Sequence, residues 1–175
     1  MAELDHGRSA AAFYSREAFG ERLGGFIYGT IVTLSVVIAG ARIYPDGPGH
    51  VAGFVAVATF VLWLAHVYSH GLALSVTHDD HLTLGELGHV ARREASILEA
   101  GVPSIVALLL GTAGILSEQV AIWLAIGLGL GVLAVQGIVF ARVEHLGWVA
   151  TAVVVALNLG LGVLLIWLKL LIGHG

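Results

Sequence analysis

The stretch VAGFVAVATFVLWLAHVYSHGLALSV, Val51 to Val76, decides the fold class. It is longer than the ~20 residues an α-helix needs to cross a hydrocarbon core of about 30 Å, and it carries no acidic or basic residue other than His66 and His70. A segment of this kind reads as a transmembrane helix, because lipid offers no partner for a peptide group and a helix satisfies its own. The two histidines sit one helical turn apart on one face, with Trp63 a turn before His66 on the same side.

The rest of the chain agrees with that reading. Over 175 residues, 58% are hydrophobic and 11% charged, with a mean hydropathy of +0.93, far from the balance of a soluble domain. Four further apolar runs fall at Gly24 to Ile43, Ala100 to Leu116, Gln119 to Ala141 and Leu146 to Ile172. The expected architecture is therefore an all-α, polytopic membrane bundle of about five spans in a single domain, residues 1–175. The third run is short and holds Pro103, Gly111 and Gly114, features of a tilted or re-entrant segment, and it is counted as a span. Ala39-Gly40-Ala41 imitates a signal-peptidase site, but the long polar region before the first run marks an uncleaved helix.

Orientation follows from the positive residues of the short loops. Arg8, Arg16 and Arg22 in the N-terminal tail (1–23), Arg92 and Arg93 in the segment 77–99, and Arg142 after span four lie on one side, against Arg42 and Lys169 on the other. The N-terminus is expected in the cytoplasm, the C-terminus outside, and the membrane is expected to be the bacterial plasma (inner) membrane. Tyr44 to His50, with two prolines and two glycines, is then an outer turn. Within 77–99, Thr83-Leu84-Gly85-Glu86 fits a capping box, and the residues after it, Leu84 to Glu99, read as a short interfacial helix meeting anionic lipid through Arg92 and Arg93.

Several function classes drop out. Eight Lys and Arg residues form no basic surface, so nucleic acid is not an expected partner. Without cysteine there is no disulfide, thiolate metal site or cysteine nucleophile, and any metal must use His and carboxylate. No internal duplication of the transporter kind is visible. Membrane lipid is the expected partner. Gly25 with Gly29 and Gly127 with Gly131 form G-x-x-x-G pairs, faces that let helices approach closely within one chain or between copies in a homo-oligomer.

Polar groups inside the spans are costly unless they face a partner or a cavity, and so they are the candidate site. His66 and His70 can share a metal ion or pass a proton, since their i, i+4 spacing points both imidazoles the same way. A divalent transition metal such as zinc would need more ligands, and His78, His81 and Glu94 lie near the same end of span two. An ion or proton path would run through His66 and His70 with Tyr68 and Ser69 assisting, and Arg22 would pair with Glu94 at its mouth. The bland alternative has the histidines hydrogen-bonded across the bundle to Asn158, Gln136, Ser35 or Thr33, with Asn158 and Gln136 acting as interhelical glue.

Two family resemblances accompany these residues. Tyr28-Gly29-Thr30 in span one and Trp63-Leu64-Ala65-His66-Val67-Tyr68 in span two resemble a group of small, uncharacterised bacterial integral membrane proteins, over most of the chain. Arg22-Leu23-Gly24-Gly25-Phe26, with Trp63 and His66, is remotely similar to the start of the transmembrane-protein-175 type of potassium channel, over the first third. That family follows the phenylalanine with Ser-Asp where this chain has Ile27-Tyr28, and it uses six spans per repeat. The leading functional expectation is ion or proton movement or sensing through the histidine pair. The alternatives are a metal-dependent membrane enzyme using His66 and His70, and an accessory membrane subunit whose histidines are structural. The membrane di-iron oxygenases and the ceramidase-type zinc hydrolases both carry more ligand motifs than this chain supplies.

Overall fold

The computed structural model describes residues 2–78 and 83–172, with side chains over 19–76, 83–164 and at Trp167. The described residues form six helices and no strand: α1 (Ala2–Ile43), α2 (Pro48–His78), α3 (Leu84–Arg93), α4 (Ser96–Thr112), α5 (Glu118–Val143) and α6 (Trp148–Ile172). The segment expected as an N-terminal tail is continuous with span one in a single helix.

Phe19–Ile43, Pro48–Val76 and Glu118–Val143 are each long and apolar enough to cross a membrane. The joined pair α3 and α4 passes the same test, but it is bent by 47° at the break between Arg93 and Ser96. The side chains described in α6, Trp148–Leu164, make a further apolar stretch. These helices are those of a membrane protein, three or four of them spanning by length and composition.

Local chemistry places each boundary. Pro48 opens α2 with the fixed φ of a first helical residue, just after a turn in which the Gly47 N–H donates to the Tyr44 carbonyl. The Thr83 hydroxyl accepts from the Glu86 N–H at 3.3 Å while the Glu86 carboxylate accepts from the Thr83 N–H at 2.9 Å, the capping box legible in the sequence. Ser117 caps α5 through the Val120 N–H. Gly114 ends α4 at φ 74°, where a side chain would be strained. His145 holds the equivalent left-handed position between α5 and α6 at φ 52° without being glycine.

The fourth helix is the hub. α4 packs against α1, α2 and α5, while α6 lies mainly on α5 and also touches α1. Its buried face is mostly small residues, Ser96, Ala100, Gly101, Ser104, Ala107 and Gly111, with Ile97 and Leu108 between them, which lets three helices approach it closely. Gly25 and Gly29 show this directly: a Cβ on Gly25 would lie 2.7 Å from Ser96 Oγ, and one on Gly29 would lie 3.0 Å from Ala100 Cβ. That G-x-x-x-G face is filled by α4 of the same chain. The helix that carries the third apolar run accordingly begins at Ser96, with Ser96 and Ile97 buried in the contact with α1, and the helix expected over Leu84 to Glu99 ends at Arg93. Toward the α1–α2 and α4–α5 turns, the centre is an apolar cluster of Val37, Val51, Val55, Ala107, Leu108, Ile122 and their neighbours.

Candidate functional site at the junction of α2 and α3

Trp63, His66 and His70 leave α2 on the side where α3 and the α3–α4 bend pack. The Trp63 indole N–H donates to the Ala91 carbonyl at 3.0 Å, pinning α2 to the last turns of α3. One turn on, His66 Nδ1 is 3.0 Å from the Leu62 carbonyl of its own helix. A carbonyl only accepts, so Nδ1 carries the proton and Nε2 is left for exchange or ligation. The Tyr28 ring of α1 lies 5.4 Å from the His66 ring.

His70 makes the contact that organises the site. Its Nδ1 stands 2.7 Å from Glu94 Oε1, the short separation of a charge-assisted hydrogen bond. The two partners sit in different surroundings, since the His70 side chain is 55% exposed and that of Glu94 only 10%. Glu94 is the residue that closes α3, and the bend after it turns its carboxylate toward α2. The His66 and His70 rings are 6.3 Å apart and perpendicular. That gap is too wide for a direct nitrogen-to-nitrogen hydrogen bond and suits a bridging water. His70 also lines a cleft of ≈ 250 Å³ whose rim holds the ion pair of Arg93 with Glu21.

The other expected site residues fall elsewhere. Arg22 does not pair with Glu94. It binds both oxygens of Glu99 at 3.0 and 2.9 Å, because Glu99 lies in the first turn of α4 against α1, whereas Glu94 lies before the bend and faces α2. Tyr68 is 66% exposed, two residues from His66 and so on the far side of the helix from it. Ser69 donates back to the His66 carbonyl. His81 lies outside the described residues, as does the side chain of His78. Among the described residues, no group of three or more His, Asp or Glu could hold a metal ion.

The cross-bundle partners suggested for the histidines do other things. Asn158 donates to the Leu133 carbonyl at 3.4 Å and joins α6 to α5. Thr33 is fully buried in the bundle, and its hydroxyl has no partner among the described residues. Sequence reasoning missed the Tyr28 ring contact and the tether from Trp63 to Ala91, since neither has a spacing signal. No family model matches the chain, and neither a curated protein nor a solved structure matches it.

Proposed function

We propose that this chain is a multi-pass protein of the bacterial plasma membrane, N-terminus inside, that senses protons at its cytoplasmic end through His70 and Glu94, with His66 behind them. The observation that carries the proposal is the 2.7 Å contact between a nearly buried carboxylate and a half-exposed imidazole. A carboxylate removed from water needs a partner, and this one has an imidazole, a side chain able to take up or release a proton at the contact. Nε2 of the half-exposed His70 side chain exchanges its proton with solvent entering the cleft, and the Nδ1 to Oε1 bond relays that change to the α3–α4 bend. The charged groups facing His70 are Glu94 from the bend, Arg93 from α3 and Glu21 from α1. His66 supplies a second Nε2 on the same face.

Sensing is favoured over conduction by the packing of the far half of the bundle. Beyond the histidines it is closed by Val37, Val51, Val55 and Leu108, each 0% exposed; the Thr59 and Ser104 hydroxyls beside them are engaged by the Val55 and Ala125 carbonyls, and the cluster itself offers a crossing ion no charged or imidazole group.

Trp63 reports on the junction because its N–H is bonded across it. In a chain with Trp123, Trp148 and Trp167 changed to Phe, Trp63 emission is expected to change with pH and to lose that change in His70→Asn. A pH response unaltered by His70→Asn, or none in the parent chain, would overturn the proposal.

A further inference from the structure

The second G-x-x-x-G pair differs from the first in its surroundings. A Cβ added at Gly127 or at Gly131 meets nothing within 4 Å, although Gly129 between them packs against Leu34. The open glycines form the floor of an apolar cleft between α5 and α1, ≈ 450 Å³, with Phe26 on its far wall and Gln136 at one end. Phe26 and Gln136 also line a second cleft, ≈ 260 Å³, that holds Arg22 and Glu99. The two clefts are thus neighbours along α5 and α1 with Phe26 and Gln136 as shared walls, one apolar and the other charged, and are treated as one groove.

Its dimensions fit one leaflet. From Gln136 to Gly127 is nine residues of α5, about 13 Å at the helical rise, close to half of a ~30 Å hydrocarbon core. One turn beyond Gly127 on the same face stand the exposed side chains of Trp123 and Leu124, which wall off the other leaflet. Gln136 makes no hydrogen bond among the described residues, and its amide N–H groups at this depth call for an acceptor, which a lipid ester carbonyl provides.

We propose that this groove binds one phospholipid with a phosphoethanolamine headgroup, an acyl chain lying over Gly131 and Gly127. The pairing of Arg22 with Glu99 uses only Nη2 of the guanidinium, so Nη1 and Nε remain to donate to the phosphate. Glu99 accepts from the primary ammonium, whose N–H groups a trimethylated choline lacks. Gln136 donates to the ester carbonyl. Cation, anion and amide thus meet the three polar parts of one lipid, whereas a second copy of α5 would bring only another glycine face. The inference rests on the chain spanning the membrane and is independent of His70.

The test is native mass spectrometry of the full-length chain released from micelles doped with equal phosphatidylethanolamine and phosphatidylcholine. Wild type is expected to retain one phosphatidylethanolamine at several-fold excess over phosphatidylcholine. Gly131→Leu, which fills open space, is expected to lose retained phospholipid at least fivefold while melting like wild type. Glu99→Gln is expected to keep a phospholipid but lose the headgroup preference. Equal retention by wild type and Gly131→Leu would overturn the proposal, as would equal retention of the two lipids by wild type. A dimer that Gly131→Leu converts to monomer with lipid unchanged would assign the groove to a second copy instead. Gly127→Leu repeats the test should Gly131→Leu fail to fold.

Discussion

Removing His70 and Glu94 singly and together, each to Ala, measures how much their contact stabilises the junction of α2 with the α3–α4 bend. A hydrogen bond to a charged group contributes about 1.5–3 kcal/mol net when buried. Glu94 is well covered, but His70 is 55% exposed, so solvent screens the pair and the lower end applies. The coupling energy expected at neutral pH is about 1 to 1.5 kcal/mol. The single substitutions should be unequal. His70→Ala leaves a carboxylate at 10% exposure without the partner the structure gives it, whereas Glu94→Ala leaves an imidazole already facing water, so the first should cost more. Equilibrium unfolding in mixed micelles gives all four stabilities. A coupling below about 0.3 kcal/mol, the usual scatter of additivity, would refute the claim that this contact organises the site.

Three further outcomes follow from the packing. His145 holds φ 52° where a side chain is strained, so His145→Gly should stabilise the chain by about 1 kcal/mol in the same unfolding assay. Gly129→Val should destabilise it by about 1–3 kcal/mol, because a Cβ there would sit 2.5 Å from Leu34 Cδ2. Gly127→Ala, with nothing within 4 Å of the new methyl, should be neutral or stabilising. Because the chain has no cysteine, single cysteines report topology cleanly. The five-span arrangement with the N-terminus inside, expected from the sequence, predicts that Asp46→Cys and Gly175→Cys react with an impermeant thiol reagent from outside intact cells and Glu144→Cys only after lysis; any other pattern rejects that arrangement.

What could be read from the sequence was what local chemistry or sheer length determines. Val51 to Val76 and Gln119 to Ala141 are spans because nothing else accommodates so many apolar residues in a row, and the Thr83 to Glu86 capping box needs only its four residues. Ser96 and Glu99 read as part of the interfacial helix rather than of α4 because they are polar and sit before the apolar run, while in the structure Ser96 is the small side chain that lets α1 approach. Arg22 pairs with Glu99 instead of the expected Glu94 for a related reason. The 47° bend between α3 and α4 points Glu94 at α2 and leaves Glu99 toward α1, and hydropathy carries no information about a bend. Two identical G-x-x-x-G pairs proved unlike, one packed under α4 and one open, since what covers a helix face depends on the tertiary arrangement. The histidine face itself was legible, because i, i+4 spacing fixes it whatever the helix packs against.

The most direct test of the central claim is nitrogen NMR of the His70 ring in nanodiscs, comparing wild type with Glu94→Gln. The account predicts a His70 ring protonated at Nδ1 in the neutral form, hydrogen-bonded to Glu94, with an Nδ1 resonance that moves when the carboxylate becomes an amide. A His70 ring that shows the tautomer mixture of free imidazole and ignores the change at Glu94 would contradict it.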